Sequence, residues 1–214
     1  MPPPDFAQQR ERLVAQLREQ GIRAETVLRA MATVPRELFV LDEFQAGAYR
    51  NSALPIASGQ TISQPLMVAQ MAEALLLEST DRVLEVGTGS GYMAAILSQI
   101  VREVYTIERL PDLAETAIGR LWRLNYLNVH VRVADGTLGW PERAPFDAVV
   151  VSAGGPHVPP ALMEQLCVGG RLIIPLGETE CVQELTGLIR RNEAIFDRED
   201  LGAVRFVPLV IDSP

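Results

Sequence analysis

The stretch VLEVGTGSGY, residues 83–92, constrains the fold of this chain more than any other. Its apolar start reads as a short strand buried on both faces, and glycines at 87, 89 and 91 follow at once. A helical pattern then begins at Tyr92. Glycines between a strand and a helix bring backbone N–H groups and a helix N-terminus up to a ligand with no side chains in the way. In an α/β sheet such a turn sits at the carboxyl end of a parallel strand, where ligands bind.

The rest of the chain keeps that rhythm. Helical patterns over 64–77, 92–101, 113–124 and 160–166 alternate with strand patterns over 82–86, 104–108, 129–133, 148–152 and 171–175. The alternation predicts an α/β fold with a doubly wound, mostly parallel sheet. Beyond it, 182–190 and 204–211 read as two strands without a helix of ordinary length between them, expected as an antiparallel hairpin at the sheet edge. Upstream, Phe6, Leu13, Val14 and Leu17 mark a helix over 6–20 that stops at Gly21. Val27, Leu28 and Met31 mark another over 24–33 that ends at Val34-Pro35. Residues 41–60 lack periodicity and contain Gly47, Asn51, Ser52, Pro55 and Gly59, so an ordered loop with short strands is expected; loops this long tend to be functional. The expected division is N-terminal helices with a substrate-side loop over 1–60 and a ligand-binding domain over 61–214, packed as one compact unit.

Composition removes several kinds of chemistry. All 19 cationic side chains are arginine, so neither a Schiff-base lysine nor the lysine of a phosphate-binding P-loop is available. A net charge of −8 argues against a partner with a phosphate backbone, because such affinity comes from clustered cations. Cys167 and Cys181 form no CxxC pair, and His130 and His157 lie far apart, so no metal site is expected and both cysteines read as ordinary reduced residues. The start of the chain has neither a basic segment nor an apolar one, and no stretch is long and apolar enough to span a membrane. A cytoplasmic location, no membrane partner and a monomeric state are the expectations.

The glycine loop is G-x-G-x-G. A dinucleotide fingerprint, G-x-G-x-x-G, would place a small residue at position 92, where Tyr92 stands, so a nicotinamide cofactor is disfavoured and an amino-acid-bearing nucleoside fits more readily. Glu108 closes the next strand about twenty residues on, where an acid accepts hydrogen bonds from both ribose hydroxyls. Asp135-Gly136 follows the third strand, where a carboxylate and the next N–H can meet an adenine. Glu85, near the end of the first strand, is expected to orient the glycine loop by accepting from its backbone N–H groups.

The segment SGQTISQP, residues 58–65, allows two readings that are compatible with each other. Ser63 or Gln64 can cap a helix whose first turn holds Pro65, where a missing N–H costs nothing. The same hydroxyls can hold a substrate, with capping fixing the backbone that aims them.

In LPIASGQTISQP, VLEVGTGSGY, VYTIER, ADGTLGWPERAPFD, GGRLIIPLG and VRFVPL, in that order and spacing, the sequence resembles the protein-L-isoaspartate (D-aspartate) O-methyltransferase family from about residue 25 to 211. The resemblance implies a Rossmann-like methyltransferase sheet with an antiparallel last strand. It also implies transfer of a methyl group from S-adenosyl-L-methionine to the free α-carboxylate of L-isoaspartyl residues, and to D-aspartyl residues, in damaged proteins and peptides. Carried onto this chain, it makes Ser63 and Thr61 catalytic, with Ile62 between them and Val204-Arg205-Phe206 holding the substrate peptide. Gly87 and Gly89 line the methionine part of the cofactor, with Thr88 in the same loop. Glu108, followed by Arg109, becomes the ribose ligand, and Asp135 and Gly136 become adenine contacts.

Some positions depart from the family pattern. Ala57 stands where glycine is common, Asn51-Ser52 replace a more acidic stretch, Ser152-Ala153-Gly154-Gly155 replaces a Thr-Ala-Ala run, and Met93 takes a place often held by glutamine. These bear on substrate preference more than on methyl transfer. A related methyltransferase acting on another carboxylate or a small molecule is the alternative. The reaction itself asks for no base: a carboxylate, with an ordinary pKa near 3.9, is already ionised at neutral pH. His157 therefore has no evident role, and orientation of the acceptor becomes the main task.

Overall fold

The computed structural model describes residues 4–178 and 181–210. Six helices, α1 (Phe6–Glu19), α2 (Glu25–Thr33), α3 (Pro65–Ala74), α4 (Tyr92–Ser98), α5 (Pro111–Arg123) and α6 (Pro160–Glu164), alternate with or precede the strands of one large sheet. Its strands are β3 (Arg82–Val86), β4 (Glu103–Glu108), β5 (Val129–Val133), β6 (Phe146–Val151), β7 (Leu166–Leu176), β8 (Gln183–Arg190) and β9 (Phe196–Val204). They lie in the order β5-β4-β3-β6-β7-β8-β9. Pairings from β5 to β7 are parallel and the last two are antiparallel. The chain winds outward from β3 to β5 and then returns to β6 on the other side of β3. A crevice therefore opens at the carboxyl ends of β3 and its neighbours.

Strand alternation supplies two cores. Val83, Val104, Ala148, Val150 and Ile173 face the layer built from α1 to α5, while Leu84, Val86, Tyr105, Ile107, Val149, Val151, Leu172 and Ile174 face the layer that holds Leu162 of α6. Helix α4 is buried along its whole length. Leu13, Leu17, Leu28 and Met31 of the N-terminal helices belong to the same apolar cluster as α3 and α4, so residues 4–60 share one core with the sheet.

The loop expected over 41–60 contains single helical turns at Asp42–Gly47 and Ala57–Gly59. A two-residue strand β1 (Leu54–Pro55) pairs with β2 (Thr61–Ile62). The tail differs from its expectation. The last strand is β9, Phe196–Val204, and not 204–211: residues 205–210 run extended, joined to the body through Pro208 opposite Gly154, and Ile211 lies outside the described residues. Strand β7 also starts five residues earlier than the pattern suggests, at Leu166 instead of Arg171.

Candidate active site

At the end of β3 the backbone turns through Gly87, whose φ of +94° strains any residue with a side chain and whose N–H donates to Ile107 at 2.8 Å. Parallel pairing of Val86 with Ile107 places Glu108 directly beside this turn. Its carboxylate is buried and accepts from Gly89 N at 2.9 Å and from Leu110 N at 3.1 Å. A carboxylate offers about four acceptor positions, so these two bonds leave capacity for ribose hydroxyls.

Glu108, and not Glu85, therefore steadies the glycine loop. Glu85 stands one residue inside its strand, paired with Thr106 of β4, and its carboxylate turns to that neighbour and away from the loop N–H groups. It accepts instead from Thr106 Oγ1 at 2.7 Å, and that hydroxyl lies 2.7 Å from Thr88 Oγ1. Glu85 is fully buried, its Oε1 has no partner, and burial pushes its pKa up to about 8.

Asp135, at the start of a single helical turn, accepts from Thr137 N at 2.8 Å and from Thr137 Oγ1 at 2.7 Å. This cap sets the path of Gly136, which is packed so closely that an added Cβ would come within 2.4 Å of Val86 Cγ1. Gly136 lines the crevice, whereas Asp135 is not among its lining residues.

The crevice has a volume of about 320 Å³. Its walls are the glycine loop, Glu85, Glu108, Arg109, Tyr92, Gly136, the segment from Gly59 to Ser63, and Val207 to Val210. An adjoining cleft of about 630 Å³ is lined by Ala53, Met67, Val182 and the run from Ala203 to Val207, so Val204, Arg205 and Phe206 are all on its wall. Thr61, Ser63, Ser152 and Val207 line both spaces. The two hydroxyl residues singled out by sequence thus stand where one cavity meets the other. Ile62 between them is buried in the core and reaches only the crevice. His157 is exposed and lies on neither wall.

Capping of α3 is arranged differently from the expectation. Gln64 occupies the cap position but its side chain makes no capping bond, and Pro65 is the first helical residue. Asn51, fifteen residues upstream, supplies the cap by accepting from Leu66 N at 3.0 Å. No hydrogen bond from the Ser63 hydroxyl occurs among the described residues.

Two groups that hold the walls of the site escaped the sequence reading: Asn51 and Gln183. The side-chain amide of Gln183, 1% exposed, accepts from Phe206 N at 2.8 Å and donates to Phe206 O at 3.4 Å. It presses on Gly154, where a Cβ would meet Gln183 Nε2 at 2.2 Å. Gly154 in turn donates to Val207 O at 2.8 Å and accepts from Leu209 N at 2.7 Å. The departure from the family pattern at Gly154 thus makes space for the clasp that holds the strap over both cavities. Only the paired glycines hinted at it in the sequence.

The Glu108 carboxylate and the side-chain-free surface of Gly136 both border the crevice and suit a ribose and a flat base, while the N–H groups of Gly87, Gly89 and Gly91 are already bonded within the protein and shape the loop that borders the rest. A crevice of that build, meeting a second cleft at a wall of hydroxyls, defines a Rossmann-like methyltransferase that uses S-adenosyl-L-methionine. Comparison with known proteins narrows the class. Residues 8–213 match the family model described as Protein-L-isoaspartate(D-aspartate) O-methyltransferase, and the chain belongs to that family. The protein-L-isoaspartate O-methyltransferase 1 of Geotalea uraniireducens (strain Rf4) is 57% identical over 190 residues, covering 89% of this chain and 87% of its relative. A solved protein-L-isoaspartate O-methyltransferase superposes with a TM-score of 0.86 at 28% identity over 93% of this chain, which spans 65% of that protein's length. A Plasmodium falciparum protein-L-isoaspartate O-methyltransferase in complex with S-adenosyl-L-homocysteine gives a TM-score of 0.80 at 26% identity, covering 94% of this chain and 98% of the other. Among the described residues no helix is long and apolar enough to cross a membrane.

Proposed function

We propose that this chain methylates the free α-carboxylate of L-isoaspartyl residues, and the free side-chain carboxylate of D-aspartyl residues, in damaged proteins and peptides, and so begins their repair. The observation that carries the reading is the place of Thr61 and Ser63 on the wall shared by the crevice and the adjoining cleft. Of the four described residues that border both spaces, three carry hydroxyls, so an acceptor in the cleft meets hydroxyls where the cofactor space adjoins it.

Bound in the crevice, S-adenosyl-L-methionine supplies an electrophilic methyl group on a cationic sulfonium. Glu108 holds the ribose and Gly136, set by the Asp135 cap, adjoins the adenine, while Gly87, Thr88 and Gly89 border the amino-acid end and Arg109 closes the rim. The acceptor is already anionic and needs no proton removed. The Ser63 hydroxyl donates to one carboxylate oxygen and leaves the other to attack; Thr61 borders the same space. A neutral donor suits this task, because a cation in contact would quench the nucleophile. Val204, Arg205 and Phe206, clasped by Gln183, support the peptide on the far side of the cleft. The enzyme works as a monomer in the cytoplasm, with residues 1–60 and 61–214 acting as one unit.

The test is transfer of labelled methyl from S-adenosyl-L-methionine to an isoaspartyl peptide beside its aspartyl twin. Labelling of the isoaspartyl peptide alone is expected. A hydrogen bond to a charged acceptor is worth about 1.5–3 kcal/mol, so Ser63→Ala should lower kcat/KM by roughly 10- to 100-fold. Equal labelling of the two peptides, or full activity in folded Ser63→Ala and Thr61→Val, would overturn the reading.

A further inference from the structure

Arg36 is a cation with no exposed surface, in the helical turn Arg36–Phe39 that precedes the long loop. Among the described residues no carboxylate pairs with it, although its neighbour Glu37 accepts from the Tyr49 hydroxyl. Burying an unpaired charge is costly, and desolvation lowers the pKa of this guanidinium from its ordinary value. Its compensation comes from backbone and ring. Nε donates to Ala48 O at 2.7 Å, Nη2 donates to Ser63 O at 2.9 Å, and the guanidinium lies over the Tyr92 ring, 4.8 Å from its centroid. Nη1 has no hydrogen-bond partner among the described residues. Arg36 lines neither cavity, so it touches neither acceptor nor cofactor.

The three groups it joins come from the three parts that must meet at the site. Ala48 belongs to the N-terminal loop, Ser63 to the hydroxyl segment, and Tyr92 begins the helix that follows the glycine loop and lines the crevice. Beyond Ser63, the start of α3 is held separately by Asn51. The backbone of Ser63 is thus tied at its carbonyl by Arg36 and just downstream by Asn51, and side-chain rotation is the main freedom left to its hydroxyl.

We propose that Arg36 is a positioning residue for methyl transfer, acting through the Ser63 carbonyl to hold the Ser63 hydroxyl at the junction of crevice and cleft. The inference rests on the reading that Ser63 holds the acceptor. A lysine retains the charge but lacks the planar fork that reaches two carbonyls at once; a glutamine retains a donor and removes the charge.

The test is a double-mutant cycle in the full chain, with Arg36→Lys, Arg36→Gln, Ser63→Ala and each combination, read as kcat and KM for an isoaspartyl peptide. Binding of S-adenosyl-L-homocysteine is measured by calorimetry in parallel. A small displacement of a reacting group costs up to about 100-fold, so the expected loss in Arg36→Lys is about 10- to 100-fold in kcat/KM. S-adenosyl-L-homocysteine affinity is expected to stay within about twofold, and Arg36→Lys should cause no further loss once Ser63→Ala is present. Arg36→Gln serves if the lysine variant does not fold. If neither folds, hydrogen exchange in the wild type decides: slow exchange at Leu66 N–H with exchange at unfolding-independent rates around Ser63 would overturn the proposal. Independent, multiplicative losses from Arg36 and Ser63 would overturn the Arg36 role alone. Full activity in Ser63→Ala would overturn the acceptor reading and this inference with it.

Discussion

Replacing Glu85 with glutamine should change the pH dependence of stability in a calculable way. Glu85 is buried without a cation, its Oε2 accepts from Thr106, and nearby Glu108 adds like charge. Burial raises its pKa from 4.5 to about 8. For a group raised on folding, the stability contribution is fully present below the unfolded pKa, near 4.5, and is lost as pH climbs through the folded value, near 8. Each unit in that window removes about 1.4 kcal/mol. Between pH 5.5 and pH 8 the wild type should therefore lose on the order of 3 kcal/mol that Glu85→Gln, which does not titrate, retains. At pH 5.5 the variant should be the less stable by about 1–3 kcal/mol, because its amide nitrogen is buried without an acceptor. Toward pH 8 the order should even out or reverse. Urea unfolding of both proteins at half-unit pH intervals measures this, since titrating groups that do not interact with Glu85 cancel in the difference. Parallel stability curves would show that Glu85 ionises in the folded protein much as in the unfolded chain, and the argument would fail.

Gly136→Ala should place a methyl group 2.4 Å from Val86 Cγ1, destabilising the fold by about 1–3 kcal/mol. It should also weaken S-adenosyl-L-homocysteine binding by about tenfold or more, seen by calorimetry; unchanged affinity would mean that the adenine lies elsewhere. Gln183→Leu removes both bonds to Phe206 at little change in volume, so KM for an isoaspartyl peptide should rise about tenfold while S-adenosyl-L-homocysteine affinity stays within about twofold. Equal losses in both would mean that freeing Phe206 also shifts Val207 to Val210 on the crevice wall.

What the sequence disclosed was local. The strand, glycine turn and helix around Gly87 announce themselves within ten residues, and Glu108 follows from the regular spacing of the next strand. What it concealed depends on distance or on the source of an apolar pattern. Residues 204–210 are rich in apolar side chains because they wall two cavities, and so imitate a strand. The true last strand carries Asp197, Arg198, Glu199 and Asp200 and looks like a loop, as solvent-facing edge strands do. Arg36 and Ser63 are 27 residues apart, Gln183 and Phe206 are 23 apart, and Asn51 and Leu66 are 15 apart. No periodicity links such partners before the chain folds. Glu85 was misassigned because spacing along a strand does not say across which face an acid points.

The cap that Asn51 lends to α3 divides labour between two neighbourhoods of the chain. A serine at the mouth of a helix is ordinarily conscripted to hold its first turn, and deleting it then unravels structure and chemistry together. Here the turn is moored from outside, so an alanine at position 63 should report on reaction alone, while damage at position 51 should travel inward and disarm an alcohol it never touches.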